Sequence, residues 1–273
     1  MQNELRNAIR FDDLWAVYGP EGVVALAWWI GAQHVNEIRA NQSSYPFLEI
    51  TAPAGSGRSV LLSYLSKLIG KETYRCCSPE HATKAGRLRN LEQAGTDSIV
   101  YLDESDSVAP FDWDEIKTLY NGGSASYGTR EEMREVSFKG TLVITANEPV
   151  KCSDAVRSRM IDVRLKGKNF LDKPPHIEAL HQLTAAEASV FGRTIERNKE
   201  KLLFTVNKLV PVYIDALTLG LNFIRDLDPR GVHNCAQVMA LVNVLSDLLG
   251  LTNEYRAAPL EVLQTIASEY SPR

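Results

Sequence analysis

Tyr45-Pro46-Phe47-Leu48-Glu49-Ile50-Thr51, followed at once by Ala52-Pro53-Ala54-Gly55-Ser56-Gly57-Arg58-Ser59, is the stretch on which the fold turns. The first seven residues are a short apolar run with a β-branched residue near its end, which predicts a buried strand. The small residues after it predict a loop. Ser59–Ile69 then spaces its apolar side chains as a helix does and ends at Gly70, a residue suited to a helix C-cap. Strand, glycine loop, helix is the order of a phosphate-binding loop: successive backbone N–H groups turn into one concavity and a helix N-terminus faces the anion. The pattern G-x-x-x-x-G-K-[ST] is met at Gly57 and Ser59, whereas Ala52 stands for the first glycine and Arg58 for the lysine.

In this reading Pro53, Ala54, Gly55, Ser56, Gly57, Arg58, Ser59 and Val60 form the cradle for ATP. Gly55 and Gly57 allow the required backbone, Ser59 reaches a magnesium ion, and Arg58 reaches the outer phosphates. Arginine keeps the charge of lysine, but its planar fork is larger than an ammonium group, so weakened hydrolysis is expected. The loop alone also fits a Gly-Ser turn in front of an amphipathic helix.

Downstream segments narrow the choice. Ser98–Leu102 (SIVYL) reads as a second strand, closing on Asp103-Glu104. A carboxylate pair there suits a metal-holding Asp103 and a water-orienting Glu104; a solvated acid pair is the plainer alternative. Thr141–Thr145 (TLVIT) predicts a third strand, and Asn147 just past it could position an attacking water. Met160–Leu165 alternates in the manner of a fourth strand. Between these lie Arg157 and Arg159, either of which could reach a neighbouring subunit's γ-phosphate; Arg159 is the favoured one.

These pieces, in this order, resemble the AAA+ helicase domain of superfamily 3, and more closely the helicase part of primase-helicase proteins from phages and integrative elements. The resemblance spans roughly residues 22–165 and rests on Ile116-Lys117-Thr118-Leu119-Tyr120-Asn121-Gly122-Gly123, the charged stretch to Phe138-Lys139-Gly140, Leu142–Val150 (LVITANEPV) and Arg157-Ser158-Arg159. Asn147-Glu148-Pro149 is one residue shorter than the family's N-x-x-P. The family implies a homo-oligomer, a hexameric ring, with ATP and magnesium at subunit interfaces and single-stranded DNA in the pore. On that likeness Lys117, Arg130, Arg134 and Lys139 are candidates to face DNA, although Glu131, Glu132 and Glu135 could neutralise the same loop. Helicase or translocase activity is the implied function; a catalytically weak nucleotide-binding scaffold or switch, and an element-encoded defence ATPase, are the alternatives.

The rest of the chain sets outer bounds. Its 273 residues carry 44% hydrophobic and 23% charged side chains and a formal net charge of −4, which excludes a protein coated in basic residues but not a local basic loop. Cys76, Cys77, Cys152 and Cys235 fit neither a zinc site nor a disulfide framework. The apolar window at 23–35 is too short to span a bilayer, and the first residues lack a signal-peptide core, so a cytoplasmic protein without membrane contact is expected. The predicted organisation is an N-terminal helical segment (1–44), a mainly parallel α/β P-loop core (45–168) and a C-terminal helical domain (169–273). Within it, helices are expected at 3–18, 21–41, 113–120, 187–209, 213–227 and 235–249, and a hairpin arm or loop at 129–137.

Overall fold

The computed structural model describes residues 2–79, 83, 86–87, 91, 99–103, 111–128, 133–166, 172–222 and 227–270, with backbone alone at 125–128 and 133–136. At its centre lies a five-stranded, wholly parallel sheet. The strands are β1 (Phe47–Thr51), β2 (Cys76–Cys77), β3 (Ile99–Asp103), β6 (Thr141–Ala146) and β7 (Met160–Arg164), in the spatial order β2-β3-β6-β1-β7. Strand β1 sits between β6 and β7, with Leu48 level with Val143 on one side and Ile161 on the other. A separate antiparallel hairpin, β4 (Ser124–Gly128) with β5 (Met133–Ser137), is inserted between β3 and β6.

Strands buried on both faces read as continuous apolar runs, and two apolar clusters show why. Leu48, Ile50, Val143, Ile161 and Val163 join the larger cluster on one face. Phe47, Val100, Leu102, Leu142, Ile144 and Met160 join the smaller one on the other, packed on a 3-10 helix (Trp113–Asn121) through Trp113, Ile116 and Leu119. The chain leaves β1 towards β2 and β3 on one side of the sheet but leaves β6 towards β7 on the other. Strand order therefore reverses between β1 and β6, and a ligand crevice is expected outside the C-terminal ends of those two strands.

The N-terminal part holds α1 (Gln2–Ala8), α2 (Phe11–Ala32) and α3 (Val35–Gln42). A break falls within each of the predicted 3–18 and 21–41. Arg10 takes a left-handed conformation (φ 53°) between α1 and α2, and the chain turns again at His34. The expected break at Gly19-Pro20 is present: Gly19 is non-helical (φ 59°, ψ −148°), and α2 is two helical stretches joined across that kink. Trp28 and Trp29 are core residues, 0% and 1% exposed. Gly31 is a point of close approach, since a Cβ there would run into the Tyr45 hydroxyl and Leu241.

The C-terminal part is helical: α4 (Arg58–Lys67) and α5 (Asp154–Arg157) belong to the sheet layer, and α6 (Pro174–Gln182), α7 (Ala185–Ala188), α8 (Val190–Arg197), α9 (Lys199–Gly220), α10 (Pro229–Leu249) and α11 (Asn253–Glu269) follow. A break was expected near 210, but α9 continues through Pro211. Asp228 caps α10, accepting hydrogen bonds from the amides of Arg230 and Gly231 at 3.2 Å, with Pro229 at the first turn. Helices α9 and α10 are long and apolar enough, by length and composition, to cross a membrane; α10 is the central helix of this layer, with 78% of its most apolar window buried inside the protein. The larger apolar cluster takes residues from the N-terminal helices, the sheet and the C-terminal helices alike.

Candidate nucleotide site

The loop after β1 has the backbone that its glycines predict. Gly55 and Gly57 have φ of +78° and +82°, in the left-handed region where other residues are strained. Among the described residues, no heavy atom beyond the adjoining ones in the chain lies within 4 Å of where a Cβ on Gly55 would sit, so the loop is open there. Ser56 donates its hydroxyl to the Pro53 carbonyl (2.6 Å) and its amide to the same oxygen (3.2 Å), which closes the turn. Ala52 is buried and donates its amide to the Ala146 carbonyl (3.2 Å), tying the loop's start to the end of β6. A methyl group is thus accommodated where the sequence pattern has glycine. From outside, the Tyr18 hydroxyl of α2 donates to the Gly57 carbonyl at 2.8 Å.

Arg58 opens α4, and its Nη2 donates to Asn147 Oδ1 at 2.7 Å across the β1–β6 crevice. Its Nη1 is buried with no hydrogen-bond partner among the described residues. Asp103 ends β3 with its side chain exposed, and one carboxylate oxygen accepts a hydrogen bond from the Thr145 hydroxyl (2.5 Å). Only β6 separates β1 from β3, so the loop and Asp103 lie about 10 Å apart along one edge of the sheet. Tyr74 fills the space between them. Burial pushes its hydroxyl pKa up, the nearby Asp103 carboxylate adds to that, and a hydrogen bond to Ser59 and the Arg58 guanidinium oppose it. Its ring packs on Tyr101, 5.0 Å between centroids. Burial, with Asp103 beside it, pushes the Cys76 thiol up to about 12, so this cysteine is a neutral thiol.

Arg58, Ser59, Asp103 and Asn147 are therefore brought to one mouth, beside the loop formed by Pro53, Ala54, Gly55, Ser56 and Gly57, whereas Val60, in the first turn of α4, packs on the larger apolar cluster. Glu104 lies outside the described residues. A polyphosphate fits what is there: two left-handed glycines, an open surface above them, and a guanidinium N–H still lacking an acceptor. For a divalent cation, the Ser59 hydroxyl and the second oxygen of Asp103 are the oxygen donors at hand.

The two arginines after β6 have different surroundings. Arg157 pairs with Glu49, a fully buried carboxylate on β1, and donates through Nη2 to the Val150 carbonyl at 2.5 Å. Glu49 also accepts from the Val150 amide (2.7 Å), yet burial pushes its pKa up to about 7, and Arg157 opposes that rise. Removal of one member of a buried pair costs about 3 kcal/mol or more. Arg157→Ala should therefore lower the melting temperature by roughly 6–12 °C at pH 8. The loss should shrink at pH 5.5, where the stranded carboxyl takes a proton and its stabilising neutral form returns. Thermal melts at the two pH values check both statements.

Arg159 is not locked in this way. Its guanidinium lies 5.4 Å from the Tyr120 ring centroid and donates to the Ala155 carbonyl, while Nε is buried without a partner among the described residues. Burial first, then the nearby Arg230, lower its pKa. Its carbonyl accepts from the amide of Phe47, at the start of β1. The phosphate loop begins at the other end of that five-residue strand, about 16 Å away. Arg159 thus lies at the opposite end of β1 from its own chain's loop.

Of the DNA-facing candidates, Lys117 on the 3-10 helix pairs with Asp114 at 2.8 Å, and Lys139 is exposed at the foot of the hairpin. Arg130 lies outside the described residues, and of Arg134 only the strand is described. Sequence reasoning missed the clamp beneath this hairpin. Buried Arg39, from α3, donates to the carbonyls of Tyr120 (3.1 Å), Leu119 (3.0 Å) and Gly140 (2.8 Å), holding both feet together. Thr145, Tyr74 and Tyr18 were missed as well. None stands in a recognisable motif, and only Thr145, two residues before Asn147 on a strand, carried a positional hint.

No described protein family and no curated protein matches the chain by sequence. Among solved structures, the SCCmec type IV Cch protein, an active helicase, is similar with a TM-score of 0.64 and 11% identity over 93% of this chain. The match covers 48% of that protein, so this chain spans about half its length. The NrS-1 C-terminal region, in an apo form, matches 93% of this chain and 68% of its own at 12% identity, with a TM-score of 0.36. The fold is thus an α/β P-loop-like fold shared with a helicase.

Proposed function

We propose that the chain is the ATP-hydrolysing motor module of a DNA helicase or translocase of the mobile-element kind. One observation carries the reading. The glycine loop after β1, Asp103 after β3 and Asn147 after β6 meet at the point where strand order reverses, with Arg58 spanning the gap. The fold shared with an active helicase supports it.

In this reading the amides of Ala54–Ser59 and the Arg58 guanidinium bind the β- and γ-phosphates. Ser59 and Asp103 would hold a magnesium ion, which would supply neutralisation of charge on the transferred group. Thr145 fixes one Asp103 oxygen and leaves the other as the oxygen that would serve the metal. Glu104 and Asn147 orient the attacking water, and Arg159 serves the site of a neighbouring copy in a hexameric ring. Lys117, Arg130, Arg134 and Lys139, around the hairpin, meet the phosphates of single-stranded DNA.

A second reading, a nucleotide-binding module with feeble turnover, draws on the bond between Arg58 and Asn147. An amide held by that guanidinium is withdrawn from water positioning. Steady-state phosphate release, with and without single-stranded DNA, separates the two. Arg58→Lys should raise turnover about tenfold, the worth of one hydrogen bond to a charged group, by releasing Asn147. Arg58→Ala should remove it. Tight ATP binding by calorimetry with no phosphate release from either the parent or the lysine variant would favour the second reading. An absence of nucleotide binding would end both.

A further inference from the structure

Among the described residues, the large apolar side chains that stand mostly in solvent are Phe204 (68% exposed), Val212 (56%) and Leu219 (72%), and all three lie on α9. Monomeric proteins scatter such residues singly; a row on one face calls for an explanation. At 100° per residue, positions 204, 208, 211, 212, 215 and 219 fall within an arc of about 100°. The opposite face, with Leu202, Val206, Val210 and Leu217, is buried and packs on α10. The outward stripe is about 22 Å long. Within it sit exposed Lys208 and Asp215, neither of which makes an ion pair or hydrogen bond among the described residues.

We propose that this face is a two-fold contact with a second copy of the chain, α9 against α9, antiparallel. The order of the stripe is the reason. An antiparallel partner centred between Pro211 and Val212 sets Phe204 opposite Leu219, Lys208 opposite Asp215, and Pro211 opposite Val212. Each pairing then occurs twice, as a closed two-fold interface requires. A parallel partner would instead face Lys208 with Lys208 and Asp215 with Asp215, so charge selects the antiparallel arrangement. The same two charges in mid-stripe count against immersion of the face in lipid. The contact uses none of the residues at the nucleotide mouth and none of those around Arg159, so it is compatible with a ring and independent of it. A single pair of helices meeting over about 22 Å is a small contact, and a dissociation constant on the order of micromolar is expected.

Sedimentation velocity of the full chain from about 1 to 100 μM, without nucleotide, tests this. A monomer–dimer equilibrium is expected. Lys208→Glu and Asp215→Lys should each weaken it at least tenfold through facing like charges, about 1.4 kcal/mol. The double variant, with both charges exchanged, should return to within a few-fold of the parent. Phe204→Ser should weaken the dimer with an unchanged melting temperature, since the side chain is exposed. Phosphate release should stay the same in all four variants, which keeps this contact separate from the proposed motor function. A chain that stays monomeric throughout the range, or a double variant as weak as the singles, would overturn the proposal. Flotation with phosphatidylserine–phosphatidylcholine vesicles that is lost in Phe204→Ser would assign the face to a membrane and overturn it too.

Discussion

Asp103→Asn is expected to cut magnesium-dependent phosphate release by about 100-fold or more, with nucleotide binding in EDTA left within about twofold. Asp103 is the exposed end of β3, and its one pinned oxygen accepts from Thr145. The substitution keeps the size and the Thr145 hydrogen bond but removes the negative charge from the oxygen that would face the metal. A carboxylate contributes several kcal/mol to holding a divalent ion beside a developing phosphate charge; an amide does not. Thr145→Val offers a graded comparison. It leaves the carboxylate intact but free to rotate, so a smaller loss, recovered in part at high magnesium, is expected. Equal turnover in the parent and Asp103→Asn would remove Asp103 from the mechanism and the nucleotide reading with it.

The second large effect concerns Arg159. A guanidinium supplied to a transferring phosphoryl group is worth about 10³–10⁵ in turnover, and Arg159→Ala should lose a comparable factor without weakening ATP binding. Geometry makes the test sharper. The Arg159 backbone is tied to the start of β1 and the phosphate loop follows its end, so the proposed role requires that the group act on another copy. Mixing Arg159→Ala with Asp103→Asn chains should then restore part of the activity, because some interfaces pair an intact arginine with an intact mouth. A mixture as inactive as its components would exclude that arrangement. Thermal stability separates this arginine from its neighbour: Arg157→Ala strands the buried Glu49, whereas Arg159→Ala removes a half-exposed group stacked on Tyr120.

The likeness between these two arginines shows where sequence reasoning stops. Both follow β6 in a Val-Arg-Ser-Arg run, and nothing local separates them. A buried acid 108 residues away does, by holding Arg157. His233–Gln237 is a similar case. In sequence the stretch shows only the onset of helical periodicity at Cys235. In the fold, buried Asn234 accepts from the Tyr120 hydroxyl (2.6 Å) and donates to the Ser158 carbonyl (2.8 Å), while Gln237 donates to the Ser44 carbonyl (3.0 Å). One turn of α10 thereby anchors the hairpin's base, the segment carrying Arg159 and the entry to β1. The two-residue strand β2 escaped sequence reading as well, because Cys76-Cys77 is too short for any periodicity.

The chain's own residues determined the strands β1, β3, β6 and β7, the glycine loop and the polar residue closing each strand. These depend on contacts between near neighbours: apolar runs, left-handed glycines and helix starts are local chemistry. Which of those strand ends share a mouth was decided only in three dimensions. The order β2-β3-β6-β1-β7 inserts β6 between the loop and the acid, and so lets Thr145 and Asn147 reach both sides. Strand order, buried charge pairs and the outward face of α9 all arise from partners far apart in the chain, and no spacing within a segment encodes which partner it will meet.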